Sequence, residues 1–286
     1  MKYYCAFQSY GDNLISLCLL NQIKNEKINI LGTKLTLDVA KLMGFENRFN
    51  IIVIYDKIPS FYNLRKDGVM RATKDFFNLV KFLLSNNIEM LFLDKKDFRS
   101  FMISLFVKIK VPLIHTENTY FNRYYFFKSI FNKKIVLKTS LNFKGNKKIL
   151  ISGLTSKISN NIRVDDFANI ITILKSKKDV SITLIDLDKS YSSFSNLVDC
   201  YHTNTSLADV KSLILEHDFY IGPDSFLIHL AYFLETPFCL ILNHLNFSFL
   251  PPSTESNQSY IYLSNDSDNN NYNNIKNKLS SLNVIT

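Results

Sequence analysis

The chain has 286 residues, of which 47% are hydrophobic, 21% charged and 14% aromatic, with seven Gly, six Pro, no Trp and a formal charge of +9. An average chain of this length carries about three times as many glycines, so collagen-like and Gly-rich low-complexity chains are excluded. The length allows one large domain or two modest ones around a substantial core.

The opening MKYYCAFQSYGDN shows no cleavable signal pattern, because its short apolar run leads straight into a polar turn. Strand-like runs at 2–7, 28–31, 49–55, 89–94 and 111–115 alternate with stretches of helical period at 13–24, 34–43, 69–86 and 96–109. Strand spacings of about 20 to 35 residues suit parallel βαβ units. Next, 119–148 holds eight Lys or Arg (Arg123, Lys128, Lys133, Lys134, Lys138, Lys144, Lys147, Lys148) and no Asp or Glu. Among them stand Tyr120, Phe121, Tyr124, Tyr125, Phe126, Phe127 and Phe131. This mixture suits the headgroups of an anionic membrane or single-stranded nucleic acid; the plain alternative is aromatics in a core and lysines in solvent.

A second α/β series follows: strand 147–154, helix 164–177, strand 181–187, helix 206–216, strand 218–222, helix 225–234 and strand 237–242. The end is Asn-rich and polar, with one amphipathic helix expected at 268–282. The expected organisation is therefore a domain over 1–140, a second over 141–265, and a polar tail over 266–286. The longest apolar stretches are interrupted by Lys108 and Lys110, or by His229, Glu235 and Pro237, so neither offers about 20 clean residues for a membrane span. Cys5, Cys18, Cys200 and Cys239 lack CxxC spacing and fit buried thiols in a reducing compartment, without zinc. A cytoplasmic chain is expected.

P-loop, GxGxxG, HExxH, GxSxG and kinase signatures are all absent. In doubly wound sheets ligands sit beyond the carboxyl ends of strands, and three such loops stand out. In Ser9-Tyr10-Gly11-Asp12-Asn13, Asp12 is either a helix N-cap or a carboxylate placed to take a proton from an acceptor hydroxyl. In the loop with Gly153, Thr155, Ser156 and Lys157, followed by Arg163, hydroxyls, backbone N–H groups and a cation suit a diphosphate, though capping explains the hydroxyls equally. In Gly222-Pro223-Asp224-Ser225, a strand ends and a helix begins that places His229 one turn beyond Ser225, where an anion is favoured; capping and packing are again the plain reading. Gly11, Gly153 and Gly222 belong to these loops, whereas Gly32, Gly44, Gly68 and Gly145 read as turn or helix-end positions.

The segment TSLADVKSLILEHDFYIGPDSFLIHLAYFLETPFCLIL resembles the C-terminal signature of glycosyltransferase family 9, the ADP-heptose:lipopolysaccharide heptosyltransferases, with its D-[ST]-G-x-x-H-x-A core. Gly11-Asp12-Asn13-Leu14-Ile15 is similar to the family's GD-[VIN]-[LI] loop. The resemblance implies a GT-B architecture of two Rossmann-like domains facing across a cleft. It also implies a metal-free, cofactor-free, inverting transfer from a nucleotide sugar to a cell-surface glycan precursor, such as lipopolysaccharide. Carried over by residue, Asp12 is the catalytic base, and Asp224, Ser225 and His229 form the donor motif, with Gly222 before it. Gly153, Thr155, Ser156 and Lys157, or Arg163 in place of the lysine, meet phosphate. Because the Asp12 and Asp224 loops come from opposite domains, closure would assemble the site. Residues 119–148 would then hold the enzyme on the inner face of the membrane. Phe226 stands where the family has Gly, which leaves a non-catalytic nucleotide-sugar or glycan-binding protein as the alternative, with a nucleic-acid-binding protein behind it.

Overall fold

The computed structural model describes residues 1–24, 26–62, 64–94, 96–112, 116–133, 135–138, 148–153, 155, 158–244, 248, 250–252, 259–263, 268–282 and 284. The chain divides into two compact units, Met1–Val136 and Leu137–Thr286.

In the first unit five parallel strands, β1 (Lys2–Ala6), β2 (Ile28–Thr33), β3 (Phe49–Tyr55), β4 (Met90–Phe92) and β5 (Lys108–Lys110), run in the order β3-β2-β1-β4-β5. Tyr4 of β1 pairs with Ile30 on one side and with Phe92 on the other. Helices α1 (Tyr10–Asn21), α2 (Lys34–Met43), α3 (Leu64–Asp67), α4 (Val69–Ser85), α5 (Phe98–Ser104) and α6 (Thr119–Phe131) connect and flank the strands. β1 is buried on both faces, as a central parallel strand must be, and so reads as a continuous apolar run. Tyr3, Cys5 and Phe7 pack on one side with Leu79 and Leu83 of α4 and Ile103 of α5. Tyr4 points the other way, meeting Ser16 of α1 and Phe127 of α6.

The expected helix over 96–109 is two elements. α5 starts at an Asp97–Ser100 capping box and stops at Ser104. Lys108-Ile109-Lys110 then forms the edge strand, an alternating basic pattern suited to an unprotected sheet edge. Of the strand expected at 111–115, residues 113–115 lie outside the described residues. Gly32 lies within β2 instead of a turn: a Cβ there would stand 2.8 Å from that of Thr36, whose hydroxyl donates to the Ala6 carbonyl. Gly44 and Gly68 do sit at helix ends, with φ of 74° and 78°. Gly145 lies outside the described residues.

The second unit is a six-stranded parallel sheet of β6 (Lys148–Ser152), β7 (Ser181–Ile185), β8 (Cys200–His202), β9 (Phe219–Pro223), β10 (Phe238–Leu242) and β11 (Tyr260–Tyr262). Its order is β11-β10-β9-β6-β7-β8. Among the described residues its helices are α7 (Val164–Lys175), α8 (Leu207–Glu216), α9 (Phe226–Leu234) and α10 (Asp268–Ser281). The polar tail is part of this unit: Ile275, Leu279 and Leu282 of α10 and its end join the core beside Phe167 and Ile171 of α7. Buried Asn271 donates to buried Asp166 at 3.1 Å. Cys5, Cys18 and Cys239 are buried, while Cys200 is exposed.

Candidate active site

Each sheet reverses its winding once, between β1 and β4 in the first unit and between β6 and β9 in the second. These are topological switch points, where loops diverge and leave a crevice. The three loops singled out by sequence follow β1, β6 and β9.

In the first unit α1 begins at Tyr10, so Asp12 is in its first turn and Ser9 is the N-cap. The Ser9 hydroxyl donates to Asp12 Oδ2 at 2.8 Å. The other carboxylate oxygen faces Arg123 of α6: Nη2 donates to Asp12 Oδ1 at 2.9 Å. The same Nη2 donates to Gln8 Oε1 at 2.6 Å, and Nε donates to Asp94 Oδ2 at 3.1 Å. Asp94 also accepts from the Tyr4 hydroxyl at 2.6 Å and from Gln8 Nε2. Asp94 is thus a buried carboxylate with three donors, and Arg123 a buried cation between two carboxylates. Burial acts to lower the Arg123 pKa, but Asp94 and then Asp12 more than offset it, so the guanidinium stays charged. Burial, and then the Asp94 charge, hold the Tyr4 phenol well above its ordinary value, so it remains a donor.

The Asp12 side chain is 28% exposed against 5% for Arg123 and 7% for Asp94. It opens on a cavity of about 350 Å³ whose lining includes Gln8, Ser9, Asp94, Arg123, Tyr62 and Arg99. Arg99 pairs with Asp97 and lies over the Tyr62 ring, 4.3 Å from its centre. A partly exposed carboxylate at a helix N-terminus, fixed by a buried cation and open to a cavity, is placed to accept a proton from a hydroxyl in that cavity.

Gln8, Asp94, Arg123 and the Arg99–Tyr62 pair were not selected from sequence. Asp94 closes the apolar run EMLFLD, so the rule that picked the other loops applied to it equally. In sequence Arg123 is one of the eight basic residues of 119–148. Its burial, with Tyr120, Phe126 and Phe127 at the same helical spacing, makes that face of α6 core. These four residues are therefore withdrawn from any surface a membrane or nucleic acid would touch. Lys128 and Lys133 are exposed, and 134 and 139–147 lie outside the described residues.

In the second unit the loop after β6 turns on Gly153. A Cβ there would fall 2.4 Å from the Tyr191 ring, whose hydroxyl donates to the Gly153 and Ile162 carbonyls. The Thr155 N–H donates to Asn161 Oδ1 at 2.8 Å. Ser156 and Lys157 lie outside the described residues. Arg163 occupies the N-cap position of α7 and pairs with Asp166 at 2.6 Å, its side chain 37% exposed.

After β9, Asp224 and Ser225 lead into α9, with Ser225 at the N-cap in extended geometry and making no side-chain cap. Its Oγ and the Tyr220 hydroxyl are buried and have no hydrogen-bond partner among the described residues. The Tyr220 phenol, pushed up to about 12 by burial, lies beside the Ser152 and Ser225 hydroxyls without meeting either in bonding geometry. His229 is buried on α9. Phe226, half-buried, is the first residue of α9. Gly222 admits Tyr220, because a Cβ would stand 2.1 Å from the tyrosine oxygen. Gly222→Ala is expected to cost about 1–3 kcal/mol through overpacking. Adding Tyr220→Phe, which removes the oxygen but leaves ring carbon Cζ 2.5 Å from that Cβ, should restore only part of that loss in urea melts.

Among the described residues no cluster of three or more His, Cys, Asp or Glu is arranged to hold a metal ion. No helix among them is long and apolar enough to cross a membrane. No family model matches the sequence and no curated relative does. Solved structures do match along the whole chain. E. coli heptosyltransferase WaaC with ADP-2-deoxy-2-fluoro heptose is 14% identical, with a TM-score of 0.62 over 98% of this chain and 99% of that one. A family 9 glycosyl transferase from Veillonella parvula is 9% identical, with a TM-score of 0.65 over 100% and 90%. E. coli ADP-heptose lps heptosyltransferase II is 13% identical, with a TM-score of 0.62 over 99% and 98%. Two parallel-sheet units, each with one switch point, and this full-length likeness give the chain the GT-B fold of the heptosyltransferases and of family 9 glycosyltransferases.

Proposed function

We propose that the chain is a glycosyltransferase of the family 9 kind. It moves a sugar, with inversion and without a metal, from a nucleotide donor to a lipopolysaccharide-related or other cell-surface glycan precursor. The setting is the cytoplasmic face of the membrane. The observation that carries this reading is the Asp12 carboxylate, fixed by Arg123 and open to the cavity at the first switch point. It occurs in a chain that shares its fold with a heptosyltransferase solved with an ADP-sugar analogue.

Asp12 takes the proton of the acceptor hydroxyl as that oxygen bonds to the anomeric carbon. The bond from that carbon to the diphosphate breaks, and its electron pair leaves on the diphosphate oxygen. The departing charge is met by the N-terminus of α9, by the Thr155, Ser156 and Ser225 hydroxyls, and by Lys157. Arg163 adds a second cation, shared with Asp166. Asp224 and His229 complete the donor motif. Gly153 and Gly222 serve it by admitting Tyr191 and Tyr220 against the two loops.

A thermal-shift panel of ADP-, UDP-, GDP- and CMP-sugars tests the donor class. The right one at 100 times its dissociation constant stabilises the fold by about 2.7 kcal/mol. ADP-sugars are expected to give the largest shift. No shift with any of the four nucleotides would return the chain to a non-catalytic reading.

A further inference from the structure

We infer that the outer faces of α4 and α5 form a docking surface for an anionic phospholipid bilayer. Their exposed side chains define this surface independently of any transferase activity. On α4, Ala72, Leu79, Val80 and Leu83 face the core. Met70, Phe77 and Leu84, spaced by seven residues on another face, are 89%, 62% and 58% exposed. A soluble helix ordinarily turns polar residues to that side. Between them in the same stripe stand Lys74 and Lys81, both exposed. The one acidic residue of α4, Asp75, accepts from the Ser60 N–H and is half-buried.

α5 repeats the design. Ser100 and Ile103 face inward, while Phe98, Phe101 and Leu105, at i, i+3 and i+7, are exposed. Both helices cover the same face of the sheet, and Phe76 of α4 meets Phe106, just beyond α5, at 6.2 Å between ring centres. Phe98, Phe101 and Phe77 thus add to a surface with no unpaired carboxylate on either helix.

Charge decides the occupant. A protein interface core is depleted of lysine, and two copies of this face would oppose like charges. Large exposed apolar side chains on two helices of one face, bordered by lysines, match a bilayer interface. There the apolar groups enter to about 5–10 Å and each lysine near an anionic surface contributes attraction. This surface takes over the membrane role first expected of 119–148, whose aromatic face is partly core.

The test is co-sedimentation of the full chain with phosphatidylcholine vesicles, with and without phosphatidylglycerol. Binding is expected only with phosphatidylglycerol and should weaken with added salt. The pairs Met70→Gln/Phe77→Gln and Lys74→Glu/Lys81→Glu should each reduce partitioning by about tenfold or more. Melting temperature should stay unchanged, since all four side chains are exposed. Lys128→Glu/Lys133→Glu should bind as the parent does. A parent chain that stays in the supernatant overturns the inference. So does undiminished binding by Met70→Gln/Phe77→Gln, or a lipid-free dimer that Phe77→Gln dissociates, which would give the face to a second copy.

Discussion

Arg123→Met is expected to destabilise the first unit by about 3–5 kcal/mol, the typical cost of leaving a buried charge without its partner. The residue left behind is Asp94, whose side chain is only 7% exposed and whose remaining donors, Tyr4 and Gln8, are neutral. Asp12 loses the same partner but is 28% exposed, so water recovers part of its solvation. The loss should therefore track Asp94. Combining Arg123→Met with Asp94→Asn removes the stranded charge, and the double variant should be markedly more stable than the sum of the singles predicts. Urea melts of the four proteins close the cycle. Additive losses would show that Asp94 and Arg123 do not act as a buried pair. Arg123→Lys should recover only part of the stability, because an ammonium cannot hold the side-on geometry that engages Asp94 through Nε and Asp12 through Nη2.

The same pair marks where sequence reading stopped. The strand and helix alternation was legible because central parallel strands are apolar throughout and their loops carry Gly, Ser and Asp. Two such loops per unit flank a switch point, so Asp12, Thr155, Asp224 and Ser225 were found at the right edge of each sheet. Arg123 was not, because its partners lie 111 and 29 residues away and nothing local distinguishes it from Lys128. The signal present was its phase: Tyr120, Arg123, Phe126 and Phe127 share one helical face. The helix expected over 268–282 is present at Asp268–Ser281, because Ile275, Leu279 and Leu282, at i, i+4 and i+7, are enough to seat a helix on a core; the Asn-rich composition around them does not show that this core is that of the second unit. The glycines carried a different meaning again. Gly153 is needed by Tyr191, 38 residues on and out of reach of sequence spacing, whereas Gly222 shares a face of β9 with Tyr220 two residues before it.

Asp12→Asn is expected to lower turnover by about 10²–10⁴-fold, the usual contribution of a positioned general base, or about 3–5 kcal/mol of barrier at 1.36 kcal/mol per tenfold. Asparagine is nearly isosteric. Its side-chain oxygen can still accept from Ser9 or from Arg123, and Arg123 keeps the Asp94 charge. Stability should therefore fall by only about 1 kcal/mol, which separates the chemical role of Asp12 from its structural one. The donor loops belong to the second unit, so the thermal shift given by the stabilising nucleotide sugar should be the same in the variant and the parent. The measurement is release of nucleoside diphosphate from that sugar in the presence of a lipid-linked glycan acceptor. Loss of release with an intact nucleotide shift assigns the base to Asp12. Turnover equal to the parent's would remove Asp12 from the chemistry and leave it a structural role, in its ion pair with Arg123 and its hydrogen bond from Ser9.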